Sequence, residues 1–172
     1  MILLQCRIGL DDTDHIEFGC TTSTFDHLLT EICQSMHCSV IERRLVRLWP
    51  FARRRTRGNG ALGAILEIPD NGVEKLEEIC NKWFCKLLEQ VANYPPSDFP
   101  ASPCLVISLE PTPDSWYWDA VRKHVDSRKL LEDATQRCVQ VFSSETTFGV
   151  VGACAAISWE NSGNSSWELI SW

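Results

Sequence analysis

Three carboxylates fall within four positions at Asp11, Asp12 and Asp14, directly after the apolar run that begins at Ile2. Like charges this close repel one another unless a cation sits among them. Mg²⁺ suits such a group, because it takes one or two carboxylates and completes its shell with phosphate oxygens and water. The end of a strand is also where α/β sheets place their ligands. A solvated acidic turn, with Asp12 or Asp14 capping a short helix, is the competing role. Next comes Gly19-Cys20-Thr21-Thr22-Ser23-Thr24, ahead of Phe25. N–H groups at a helix start, flanked by hydroxyls, make an anion site; a simple cap by Thr21 or Thr22 uses the same residues. A third group is Arg55-Thr56-Arg57-Gly58-Asn59-Gly60-Ala61. Arginine grips phosphate through its planar fork, and glycines let backbone approach an anion closely. No Gly-Lys-Ser or Gly-Lys-Thr follows, so this is not a Walker A loop.

The charge is distributed unevenly. Arg43, Arg44, Arg47, Arg53, Arg54, Arg55 and Arg57 make up seven of the sixteen basic residues, within a chain of net charge −7. That net charge argues against a general nucleic-acid coat protein, while a local basic patch acts through its own field. Arg44, Arg47 and Arg55 are the candidates for contact with phosphate or RNA. The four histidines lack metal-ligand spacing, although His15 adjoins the acidic loop. Nine cysteines without a C-x-x-C pair read as buried free thiols in a reducing compartment. The start of the chain has no basic leader, and no apolar run reaches about 20 residues. The expected location is cytoplasmic.

These groups need elements to position them. Residues 2–10 read as a buried strand running into the acidic loop. Phe25, Leu28, Leu29, Ile32 and Met36 have helical spacing, which predicts a helix from Thr21 to Met36. Cys38–Leu48 reads as a strand stopped by Pro50, and Ala61–Ile68 as another. Val73 to about Val91 is an amphipathic helix, and Tyr94–Pro103, with four prolines, a linker. A strand at Cys104–Leu109, a helix to about His124 and a short helix at Leu130–Cys138 follow. Phe148–Trp159 reads as a strand or strand-like turn, and Ser166–Trp172 as a last strand. The class is α/β or α+β, with ferredoxin-like β-α-β units.

Taken in order, Gly9-Leu10-Asp11-Asp12-Thr13-Asp14, Gly19-Cys20-Thr21-Thr22, Arg44-Leu45-Val46-Arg47-Leu48 and Thr56-Arg57-Gly58-Asn59-Gly60-Ala61 resemble the N-terminal kinase-like domain of the archaeal tRNA(Ile2) 2-agmatinylcytidine synthetase family. Phe148-Gly149-Val150-Val151-Gly152-Ala153 and Trp167-Glu168-Leu169-Ile170 resemble its second glycine motif and the strand after it. The chain departs from the pattern at Trp49-Pro50, where the family has Asn-Pro, at Arg55 in place of lysine, and at Phe148 in place of arginine. The family's oligonucleotide-binding domain and zinc ribbon have no counterpart in these 172 residues.

The resemblance implies a kinase-like nucleotide-binding domain with a ferredoxin-like βαβ-type second domain. Residues 1–93 would carry the N-terminal part of the kinase-like unit, 94–140 a trimmed ferredoxin-like segment, and 141–172 strands returning to the kinase-like core. It also implies ATP and Mg²⁺ on Asp11, Asp12 and Asp14, with Thr21 as the threonine that the domain phosphorylates on itself. Gly19, Cys20, Thr22, Arg57, Gly58, Asn59 and Gly60 would bind the nucleotide. The implied reaction is ATP-dependent activation of a cytidine C2 carbonyl at a tRNA wobble position, for attack by agmatine. Two other readings stay open. One is a kinase or ligase for a small molecule; the other is a non-catalytic nucleotide-binding subunit beside a separate RNA-binding chain. No membrane association is expected.

Overall fold

Cys6, Ile8 and Leu10 alternate with Arg7 and Gly9 along the first strand, β1 (Leu3–Asp11), so its two faces serve two different cores. The computed structural model describes residues 2–56 and 58–158. After β1 come α1 (Thr21–Ser35), β2 (Ser39–Arg47), β3 (Gly60–Pro69), a 3-10 turn at Asp70–Gly72, and α2 (Val73–Ala92). Then follow β4 (Cys104–Ser108), α3 (Asp114–Arg122), α4 (Ser127–Gln136), β5 (Gln140–Ser143) and α5 (Val150–Ser158). The five strands form one sheet in the order β2-β3-β1-β4-β5, every neighbouring pair antiparallel. From β1 to β4 the chain thus runs β-α-β-β-α-β, the ferredoxin-like arrangement that the alternating elements predict. Among the described residues, the segment expected at 1–93 supplies β1 to β3 of this one sheet, that at 94–140 supplies β4, and β5 lies where the segments 94–140 and 141–172 meet.

One face is covered by α1 and α2. Phe25, Leu28, Leu29 and Ile32 of α1 and Leu76, Cys80, Trp83, Phe84 and Leu87 of α2 pack on Cys6, Ile8, Leu10 and Leu66. Helical spacing of apolar residues reads this layer directly from the sequence. The opposite face carries α3, α4 and α5, where Trp116, Leu130, Ala134, Ala153, Cys154 and Ile157 meet Cys104 and Val106. Asp126 caps α4 by accepting from the N–H groups of Arg128 and Lys129, and Trp116 Nε1 donates to Asp133 at 2.8 Å, joining α3 to α4.

The expectation of a strand at Phe148–Trp159 is corrected: Val150–Ser158 is the helix α5. Val-Val-Gly-Ala-Cys-Ala-Ala-Ile is apolar on all sides, and periodicity cannot separate a buried helix from a buried strand. The packing shows why this helix needs small residues. Gly9 and Gly63 face each other across β1 and β3. A Cβ at Gly9 would overlap the carbonyl of Ala153, and one at Gly63 that of Ala156, so the α5 backbone lies directly on the sheet. The linker expected at Tyr94–Pro103 instead crosses the acidic loop. The short strand β5 was not foreseen, and Ser166–Trp172 lies outside the described residues. Among the described residues no helix is long and apolar enough to cross a membrane.

Candidate functional site

The central strand β1 ends at Asp11, and the acidic loop turns away there through Asp12, which has φ 58°. A short polar side chain tolerates this left-handed conformation better than most. Asp11 is only 9% exposed. Its carboxylate packs against the first turn of α5 so closely that a Cβ at Gly152 would overlap it. Asp12 accepts a hydrogen bond from Arg54 Nη2 at 3.0 Å. Burial pushes the Asp11 carboxyl well above the usual range, and the neighbouring charges of Asp12 and Asp14 add to the rise. Burial likewise raises Asp12, against the pull of Arg54. Two adjacent, desolvated carboxylates of this kind are stabilised by added positive charge.

Asp14 is turned toward different partners. Its Oδ1 accepts from Thr21 Oγ1 at 3.3 Å and from Thr56 Oγ1 at 3.0 Å. Thr13 donates to the same Thr21 oxygen through its Oγ1 at 3.1 Å and its N–H at 3.4 Å. The Thr21 hydroxyl is therefore held at the meeting point of the acidic loop, the start of α1 and the arginine loop. Gly19, at φ 80°, makes the turn into α1. Cys20 occupies the N-cap with extended backbone and no side-chain capping bond. Thr22 follows Thr21 in the first turn, whose N–H groups lie outside the helix's own ladder.

The loop between β2 and β3 closes on itself. Leu48 N–H donates to Asn59 O at 2.9 Å, and Asn59 Nδ2 donates to Trp49 O at 2.9 Å. Arg47 Nη1 reaches Gly58 O at 2.7 Å, and Arg55 donates to Pro50 O. Two cavities flank this loop. One, of about 490 Å³, is lined by Asp11, Asp12, Arg54, Arg55, Asn59 and Gly60, with Trp49, Phe51, Phe148 and His124 around it. The other, of about 510 Å³, has Arg47, Arg55, Thr56, Gly58 and Asn59 in its wall.

Of the sequence candidates, Asp11, Asp12, Asn59 and Gly60 thus share one cavity, while Arg47 and Gly58 share the other. Arg55 and Asn59 belong to both. Asp14 and Thr21 meet each other, and Gly19, Cys20 and Thr22 lie at the helix start, lining neither cavity. Arg44 is buried and paired with Glu42 at 2.7 Å, also outside both cavities. Arg57 lies outside the described residues. Among the described residues no group of three or more His, Cys, Asp or Glu side chains converges as a metal site. The Asp11–Asp12 pair offers adjacent carboxylate oxygens of the kind Mg²⁺ takes in its mode of one or two carboxylates, with Arg54 already bonded to Asp12.

Sequence reasoning passed over several residues here. Arg54 stood in the arginine run, but nothing local pointed it at Asp12, 42 residues away. Ser102, fully buried, accepts from Phe148 N–H at 3.0 Å and from Thr146 Oγ1 at 2.7 Å, fixing the approach to α5. Its setting between prolines suggested only a linker. His15, which the sequence does single out beside the acidic loop, is 4% exposed, stacks on Phe18 with centroids 4.5 Å apart, and accepts from Glu17 N–H at Nδ1.

Comparison with known proteins adds an independent line. A family model described as the TiaS TCKD domain matches residues 7–146. The tRNA(Ile2) 2-agmatinylcytidine synthetase TiaS of Thermoplasma volcanium is 29% identical over 169 residues, covering 88% of this chain and 38% of the relative. That of Cenarchaeum symbiosum is 30% identical over 172 residues, covering 98% of this chain and 36% of the relative. The chain therefore spans well under half the length of these curated relatives. A crystal structure of a TiaS–tRNA(Ile2)–ATP complex has a TM-score of 0.78 at 24% identity, covering 92% of this chain and 37% of that one. A TiaS–tRNA(Ile2)–AMPCPP–agmatine complex gives 0.75 at 22% identity, with the same coverage. These last two are likenesses of fold.

Proposed function

We propose that this chain, which belongs to the TiaS TCKD domain family, binds ATP with Mg²⁺ and transfers the terminal phosphoryl group in the agmatinylcytidine-forming reaction on tRNA. The observation that carries this reading is the Thr21 hydroxyl, hydrogen-bonded to the Asp14 carboxylate at the start of α1. A hydroxyl on a carboxylate, beside a helix N-terminus, is the pairing that phosphoryl transfer uses. Asp11 and Asp12 hold Mg²⁺, which when bound neutralises charge on the phosphates. The N–H groups of Gly19, Cys20 and Thr22 and the loop of Arg57, Gly58, Asn59 and Gly60 take the phosphate oxygens. Thr21 Oγ1 attacks the terminal phosphorus, the bond from that phosphorus to the bridging oxygen breaks, ADP leaves, and the hydroxyl proton passes to Asp14. Arg47 and Arg55 stand for the RNA or phosphate side, whereas Arg44, expected there from the sequence, is buried against Glu42 and serves the fold. In the acceptor step the cytidine C2 oxygen attacks the terminal phosphorus of ATP, whose bridging P–O bond breaks as ADP leaves; the agmatine amine then attacks C2, loses a proton and expels that oxygen as phosphate.

The relatives' activity as tRNA-modifying synthetases supports this acceptor. The net charge of −7 favours a second reading, in which a small molecule takes the phosphoryl group. The tests separate the two. ATP with Mg²⁺ at ~100 times its dissociation constant should add about 2.7 kcal/mol of stability, and Asp12→Ala should erase that gain. Phosphate release that requires both tRNA and agmatine supports the synthetase reading. Release that ignores both, in a chain that binds ATP, supports the small-molecule one. No thermal shift with ATP and Mg²⁺ sinks both.

A further inference from the structure

The proline-rich stretch after α2 is tied to the acidic loop directly by Tyr94 and across a bridge by Arg54. Tyr94 OH donates to Thr13 O at 3.2 Å. Arg54 joins the two sides, donating to Asp12 at 3.0 Å and also to Pro100 O. Tyr94 has a second hold on the same loop: its ring meets Phe18 edge-on at 5.1 Å and His15 at 6.1 Å. Phe18 and His15 stack, and His15 N–H donates to Phe18 O at 3.0 Å, which closes this turn on itself. Residues 94–100 form a strap over the loop rather than a free connection.

The strap leads to the Thr21 hydroxyl in two steps. Thr13, 1% exposed, accepts from Tyr94 through its carbonyl. It then donates to Thr21 Oγ1 through both its N–H and its hydroxyl. The hydroxyl of Thr13 takes one lone pair of the Thr21 oxygen at 3.1 Å and the Thr21 proton is directed at Asp14 Oδ1, so the second lone pair, on which the N–H contact is weak at 3.4 Å, is the one that turns to phosphorus. We propose that Tyr94 is a positioning residue that, through Thr13, sets the orientation of the Thr21 hydroxyl for phosphoryl transfer. The inference rests on the proposed role of Thr21 and adds a residue 73 positions away in sequence, on a segment with no catalytic side chain of its own. Orientation acts on the transition state more than on nucleotide affinity, so its loss falls on turnover.

The test is Tyr94→Phe, which keeps the ring contacts with Phe18 and His15 and removes only the bond to Thr13. Two readouts are taken on the full chain. The first is amide hydrogen exchange of residues 12–20 without nucleotide, which should speed up several-fold while α2 exchanges as in the wild type. The second is phosphate incorporation at Thr21 with ATP and Mg²⁺. There kcat should fall about 5-fold, as expected for one hydrogen bond, with KM for ATP within about 2-fold of wild type. Unchanged exchange in 12–20 overturns the proposal whatever the activity, because the bond then does not hold the loop. Faster exchange with unaltered kcat also overturns it, since the loop is then held but the hydroxyl is not aligned by it. A wild-type chain that puts no phosphate on Thr21 removes the proposed function itself, and that result is read without the variant.

Discussion

Asp11 is the residue where stability and function pull against each other most openly. Its carboxylate is buried beside Asp12, with α5 closed over it and Arg54 as the cation bonded to its neighbour. Burial comes first among the causes that lift it above the usual carboxylate range, followed by the charge of Asp12. The folded chain therefore holds a proton that the unfolded chain releases near pH ~3.9. As pH rises above that value, ionisation favours the unfolded state, and stability falls until the raised value is passed. Asp11→Asn carries no such cost. In EDTA at pH 7 its melting temperature should exceed the wild type's, by roughly 2–4 °C per kcal/mol relieved at this chain length. The gap should close as pH drops toward about 4, and the variant should lose the stabilisation by ATP with Mg²⁺. Scanning calorimetry of both proteins between pH 4 and 8 checks this, and a wild type that melts higher at pH 7 contradicts it. Residues kept at such a cost are characteristic of functional sites.

At the scale of elements, α5 decides how the two halves of the site meet. It rests on Gly9 and Gly63, and its first turn abuts Asp11, so anything that lifts the helix also moves the acidic pair. Gly63→Ala should put a methyl group against the Ala156 carbonyl, a backbone atom that cannot rotate away. Overpacking of this kind costs about 1–3 kcal/mol. The melting temperature should fall accordingly, with far-ultraviolet circular dichroism preserved and the ATP-induced shift reduced; a variant that melts like wild type shows that α5 has room to spare. This helix also marks where the sequence stopped being readable. α1 and α2 were legible because one face of each is apolar and the other polar, and β1 to β4 because their apolar runs end at turns. α5 has no polar face, so no periodicity distinguishes it from a strand. The motifs at 11–14, 19–22 and 56–60 were legible because their chemistry is local. Arg54, Tyr94 and Ser102 act across 42 to 81 residues of chain, through contacts that exist only once the sheet has formed.

Across the whole molecule, the layers sort nine thiols whose sequence surroundings, mostly apolar, suggest burial. Cys6, Cys80, Cys104 and Cys154 are buried between layers, whereas Cys20, Cys33, Cys85 and Cys138 are exposed and Cys38 is half-buried. Burial pushes Cys6 up to about 12 and raises Cys80, Cys104 and Cys154 as well. The thiolate is the reactive form, so these four are shielded both by packing and by protonation. Iodoacetamide at pH 8 should therefore modify Cys20, Cys33, Cys85 and Cys138 in the native chain, and the buried four only in denaturant, as peptide mass spectrometry would resolve. The exposed set also contains an internal control for the nucleotide site. Cys20 is the N-cap of α1, one residue before Thr21, while Cys85 lies on α2, away from both cavities. ATP with Mg²⁺ should slow modification of Cys20 by at least the fraction of chain bound, and leave Cys85 at its original rate. Equal slowing at both would mean a global change in opening rather than a ligand at the helix start. If Cys20 reacts at the same rate with and without nucleotide, under conditions where the thermal shift shows ATP to be bound, then the phosphates lie along the Gly58–Gly60 loop alone. The α1 N-terminus would then serve only to present Thr21.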